Sequence, residues 1–145
     1  MKWQEVLKGS ANPNFFSLVT PGVVNQTRHV IIKIPKGKRL SLLKLREITQ
    51  PLAMTEVKNI VSLAELLRED MIILVQMATD GKWEEMLSIG QYLETGMIAV
   101  NTIQGPMLYN GFGTLWLATS DEEIPEPFKS KAQITEISES EDVFE

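Results

Sequence analysis

Arg28, Lys33, Lys36, Lys38, Arg39, Lys44 and Arg46 fall within nineteen residues that contain no acid. Cations so spaced could neutralise several phosphates, and counterion release would then give affinity for a polyanion without reading its sequence. Three aromatics follow later in the chain, Tyr109, Phe112 and Trp116. Each could stack a nucleic-acid base, worth roughly 1 to 3 kcal/mol. Alternation through Thr114 to Thr119 sets Leu115 and Leu117 on one face and Trp116 on the other, so Trp116 faces outward if the leucines face the core. The competing reading packs Trp116 inside, beneath a helix at Trp83. The candidate nucleic-acid-binding set is therefore Lys33, Lys36, Lys38, Arg39, Lys44, Arg46, Tyr109, Phe112 and Trp116.

Other chemistry is poorly provided for. With no cysteine in the chain, thiolate ligands, thiol nucleophiles and disulfides are excluded. The one histidine, His29, sits in a strand-like run, without the nearby partners a metal site or a general base needs. "PKGKRLS" offers a Gly-Lys pair but lacks the first glycine of a phosphate loop. Glu84-Glu85 and Asp121-Glu122-Glu123 are adjacent acids, whereas acid–base catalysis needs two carboxyl groups facing one another across a substrate. A non-enzymatic protein with no metal and no cofactor is expected.

These residues must be positioned by a chain of 145 residues with a net charge of -5, long enough for one ordinary domain. The net value hides a division. Residues 1 to 58 carry ten basic and three acidic residues, and residues 59 to 145 carry four basic and sixteen acidic. Such asymmetry predicts a polyanion-facing surface at one end and an acidic tail at the other. The longest apolar run, Met71 to Val75, is far short of the roughly 20 residues that span a bilayer, and no signal-peptide run opens the chain. The expectation is an intracellular protein, of a cell or of a virus, with no membrane association.

The pattern predicts strands at Phe15 to Thr20 and Arg28 to Ile34. A Pro35-Lys36-Gly37-Lys38 turn then returns the chain through Leu40 to Ile48, giving a basic hairpin. Thr55 to Glu69 has helical spacing, Met71 to Ala78 fits either a buried strand or a continuing helix, and Lys82 to Leu93 reads as helix despite Gly90. Met97 to Ile103 is strand-like. Asn110-Gly111 is a strong hairpin signal between Met107 to Tyr109 and Phe112 to Thr119. Residues 121 to 145 hold nine acids and two lysines, which predicts a flexible acidic tail with a short ordered piece at Ile134 to Ile137. The expected organisation is one globular domain over residues 1 to 120 followed by that tail.

"YLETGMIAVNTIQGPMLYNGFGTLWLATSDEEI" resembles the latter half of the OB folds that bind nucleic acid, in which a glycine-ended loop leads into a strand, a break and a closing hairpin. The acidic end "ITEISESEDVFE" is similar to the tails of single-stranded DNA-binding proteins. The resemblance covers residues 92 to 124 and the tail, and it departs from the family in the additional helical segment Thr55 to Glu69. It implies an α+β, β-rich fold, a small antiparallel OB-like barrel or sandwich with one or two helices and a flexible acidic C-terminal tail.

Two functions are expected on these grounds. One is a single-stranded nucleic-acid-binding accessory protein whose acidic tail competes with nucleic acid or recruits a protein partner. The other is a structural or assembly subunit of a viral or multiprotein particle that makes homo-oligomeric contacts.

Overall fold

The runs Val30-Ile31-Ile32, Ile72-Ile73-Leu74-Val75 and Leu115-Trp116-Leu117 are apolar at successive positions. A strand carries such a run where both faces of its sheet are covered. The computed structural model describes residues 29–57, 65–76 and 86–145, together with Trp3, Val6, Leu7, Leu63 and Trp83. In it, all three runs occupy one parallel sheet.

The elements in chain order are β1 (Val30–Lys33), α1 (Leu42–Thr49), β2 (Met54–Val57), β3 (Ile72–Gln76), α2 (Leu87–Thr95), β4 (Met97–Thr102), β5 (Gly105–Asn110), β6 (Thr114–Thr119), α3 (Phe128–Lys131) and β7 (Gln133–Glu136). Five strands lie in the order β2-β3-β6-β1-β7, and each neighbouring pair is parallel. β4 and β5 form a separate antiparallel pair. Trp116 sits at the middle of the sheet, in register with Val30 on one side and Leu74 on the other.

Alternation along the strands divides the core in two. Val30, Ile32, Leu74, Trp116 and Ala118 pack on one face with Trp3, Val6 and Leu45 of α1. Ile31, Ile73, Val75, Leu115 and Leu117 pack on the other with Leu63, Leu67, Tyr92 and Leu93 of α2, and Phe128 of α3. Gly90 belongs to this second layer. A Cβ there would lie 3.1 Å from the Pro127 ring, so the glycine that weakens α2 is what lets the α3 segment close over it.

The mixture of helix and strand agrees with expectation, but the described strands do not form an antiparallel barrel. Their main sheet is parallel and open. The basic hairpin is also corrected. Leu40 to Ile48 does not return as a strand, because Ser41 caps a helix by accepting from the Lys44 N–H, and Leu45 and Thr49 then share its buried side. Residues 55 to 57, expected to open a helix, belong to edge strand β2, and the described Leu63, Glu65 and Leu66 are helical. Within Met71 to Ala78 the described Ile72–Gln76 form strand β3, and α2, Leu87–Thr95, overlaps the expected helix over residues 87 to 93. The expected strand Phe15 to Thr20 lies outside the described residues.

Asn110-Gly111 is not a hairpin turn. The turn falls at Ile103-Gln104, between β4 and β5, and Gly111 lies on the crossing from β5 into the main sheet. A Cβ at Gly111 would collide with the Tyr92 ring, so the position is glycine for close approach rather than for a turn.

The acidic tail is part of the fold. β7 pairs with β1 from Val30↔Gln133 to Lys33↔Glu136, and Ile137, Val143 and Phe144 are buried in the first core layer. Phe144 bridges to Leu40, the Ser41 N–H donates to Val143 O at 2.8 Å, and the Glu145 N–H donates to Arg39 O at 2.9 Å. Acidic composition concealed an apolar residue at each point where the segment turns inward. We expect Phe144→Ala to cost roughly 3 kcal/mol in urea unfolding, as for a core aromatic. A loss below about 0.5 kcal/mol would show the segment to be dispensable.

Candidate functional site

The carboxyl ends of the parallel strands are where open α/β sheets bind ligands, between adjacent strands whose following helices lie on opposite faces. Here that place is β1 beside β6, since α1 packs on one face and α3 on the other. The gap is spanned by the chain itself. The Ile34 N–H donates to Thr119 O at 2.9 Å, Lys33 Nζ donates to Glu122 O at 3.1 Å, and the Trp83 indole N–H donates to Asp121 Oδ2 at 2.6 Å.

Most of the basic candidates surround this end. Arg39 Nη2 meets Glu56 Oε2 at 2.6 Å and Arg39 Nε meets Glu145 Oε1 at 3.3 Å. Lys44 Nζ meets Asp142 Oδ1 at 2.8 Å and donates to Phe144 O at 3.0 Å. Gln76 completes the network, exchanging hydrogen bonds with the Leu40 backbone at 2.7 and 3.0 Å and donating to Glu56 Oε1 at 2.6 Å. Lys36 and Lys38 flank Gly37 at an exposed turn, and Arg46 lies further along α1, its Nε donating to Met54 O at 3.0 Å. The division of charge along the chain is thus partly folded back on itself: Glu145 and Asp142 of the acidic terminal segment pair with Arg39 and Lys44 of the basic one.

The aromatic candidates are elsewhere. Trp116 is 0% exposed and stacks on Trp3 with centroids 6.0 Å apart, so it cannot receive a base. Its burial was the competing expectation, but the partner is Trp3, on the face opposite Trp83. Tyr109 and Phe112 lie before β6, at the amino-terminal end of the sheet. The length of β6, six residues, separates them from Lys33 and its neighbours by roughly 17 Å at about 3.3 Å per residue. The nine candidates therefore do not converge on one surface.

What the amino-terminal end does present went unrecognised in the sequence. β4 and β5 form an arm whose root is fixed by Ile98, packed in the second core layer, and Tyr109 against it. Beyond the root the arm is apolar and exposed: Ile103 fully, Leu108 at 64% and Met107 at 44%. At its base an open cleft of about 530 Å3 is lined by Glu65, Arg68, Glu69, Tyr109, Asn110 and Phe112. The Arg68 guanidinium lies over the Tyr109 ring, 4.1 Å from its centroid. The legible signal was the uncharged run Met97 to Ile103, followed by Met107 and Leu108.

The arm's two edges differ. Register places Thr102 opposite Gly105 across a two-residue turn, a pair that exchanges both backbone hydrogen bonds. Asn101 and Pro106 are then a non-hydrogen-bonded pair, and the N–H that Pro106 lacks is one that would point out of β5. Proline thus blocks the edge of β5, while β4 shows the outward groups of Ala99 and Asn101 with neither proline nor charge, the Met97 N–H being taken by Thr95 Oγ1 at 3.2 Å.

No group of three or more metal-ligating side chains occurs among the described residues, and no described helix is long and apolar enough to cross a membrane. No protein-family model matches the chain, and a search of curated proteins finds no match.

Glu56 and Glu145 both pair with Arg39, but the Glu56 side chain is 9% exposed and holds Gln76 as well. Glu56→Ala should cost about 1.5 to 3 kcal/mol, because it removes the acceptor shared by the half-buried Gln76 amide and the charged Arg39 guanidinium. Glu145→Ala should cost at most about 1 kcal/mol. Paired urea titrations at low and high salt check both, and equal effects would mean that the network contributes no more than a surface pair.

Proposed function

We propose that this protein is a non-catalytic assembly subunit that associates with copies of itself through the β4–β5 arm. The exposed, uncharged outer edge of β4 carries this reading. A two-stranded ribbon is marginal alone in water, and an open apolar edge is a liability that folded proteins normally cover or charge. Two β4 strands running antiparallel across a two-fold axis would make one four-stranded sheet and would bring Leu108 and Ala99 of both copies onto a shared face. Identical edges pair in this way without a second binding surface.

A second reading, single-stranded nucleic-acid binding, retains the support of the exposed Lys36 and Lys38 and of Tyr109 and Phe112 beside the cleft. It does not need an OB-like barrel or a recruiting acidic tail, and neither is proposed. Its affinity would fall steeply with salt.

Sedimentation of the full chain from low to high micromolar concentration tests the assembly reading. The wild type is expected to self-associate. Ala99→Lys and Asn101→Pro are each expected to weaken association at least tenfold, at an unchanged unfolding midpoint. A wild type that remains monomeric at high micromolar concentration, or variants that associate as the wild type does, would overturn it.

A further inference from the structure

The cleft at the base of the arm has a chemistry separate from the β4 edge. One wall is aromatic, with Tyr109 and the 44%-exposed Phe112. The other carries Glu65 and Glu69, four residues apart, with Arg68 between them, so the lining is net negative before the neighbouring, exposed Asp70 is counted. The Arg68 guanidinium on Tyr109 shows that this wall accepts a flat cation.

The site is held in shape from beneath. The Phe112 and Gly113 N–H groups both donate to Leu67 O at 2.8 Å, and Tyr92 donates its hydroxyl hydrogen to Gly113 O at 2.6 Å. The aromatic wall is thereby fixed against the segment that carries the acids, and little ordering remains to be done on binding.

We propose that this cleft binds an arginine-bearing segment of a protein partner. The guanidinium stacks on Phe112 beside Tyr109 and donates to the carboxylates of Glu65 and Glu69. Charge selects the occupant. A nucleic-acid phosphate would be brought against two carboxylates, whereas a guanidinium satisfies the aromatic face and the acids together. A lysine satisfies only the charge, since its ammonium lacks the flat face. The inference does not depend on pairing of β4, which uses the opposite edge of the arm.

An amide-resolved NMR titration of the full chain with acetyl-argininamide tests it, with acetyl-lysinamide and oligothymidylate as comparison ligands. The expected shifts are confined to residues 65–69 and 109–113. Binding of the lysine compound is expected to be about tenfold weaker, and binding of the arginine compound severalfold weaker in both Phe112→Ala and Glu69→Gln. Shifts spread over the acidic surface of residues 121–145 would overturn the proposal, as would stronger perturbation of the cleft by oligothymidylate. The same titration on Ala99→Lys keeps the two readings distinct, because cleft binding is expected there unchanged whatever becomes of self-association.

Discussion

None of the six residues of β6 is exposed, and the rest of the molecule follows from that burial. A central strand with apolar side chains on both faces must be covered twice, and in a parallel sheet the connections do the covering. α1 and the amino-terminal Trp3 and Val6 therefore lie on one side, and α2, α3 and Leu67 on the other. Trp116 is the pivot of this arrangement. Its stacking on Trp3 fills the first layer, and its place in the central ladder aligns β3 with β1. The polar and charged residues are left to the two ends of the sheet.

At the carboxyl end part of the charge is paired internally, through Arg39 and Lys44. Exposed ion pairs such as Lys44 with Asp142 contribute little to stability, and the energetic weight falls on the half-buried Glu56, Arg39 and Gln76. Their consequence for function is larger than their energy. A basic segment already lined with its own acids is a weaker lure for phosphates than the same residues would be on an exposed hairpin. The amino-terminal end is where surface remains unsatisfied, as apolar side chains along the arm and as an acid-rimmed aromatic cleft at its base. Both features suit protein partners better than polyanions.

Much of the strand content was legible, because runs such as Met97 to Thr102 and Leu115 to Leu117 admit few other structures. The sheet's direction and order were not, since parallel pairing of β6 with β1 joins residues more than eighty positions apart. Two local signals misled. Asn110-Gly111 has the chemistry of a type I′ turn, but its glycine answers to the Tyr92 ring, a contact nineteen residues away in sequence. Residues 121 to 145 have the composition of a disordered tail; the short ordered piece expected at Ile134 to Ile137 matches β7, but Val143 and Phe144, which anchor the end of the segment, are too few for a composition average to register. α1 could have been recognised. Ser41 followed by Leu42, Leu45 and Ile48 is a cap and a helical stripe, overlooked in favour of the turn before it. Of the candidate site, the cations and aromatics are visible in the sequence as residue types, but which end of the sheet each reaches depends on topology that periodicity does not encode.

Self-pairing through β4 requires its outward amides to become hydrogen-bonded when two copies meet. Residue-resolved amide hydrogen exchange at low and high protein concentration reads this directly. Protection at Ala99 and Asn101 is expected to rise with concentration, while the amides of β7 stay equally protected throughout. Exchange at those two β4 positions that is independent of concentration would contradict assembly through this edge.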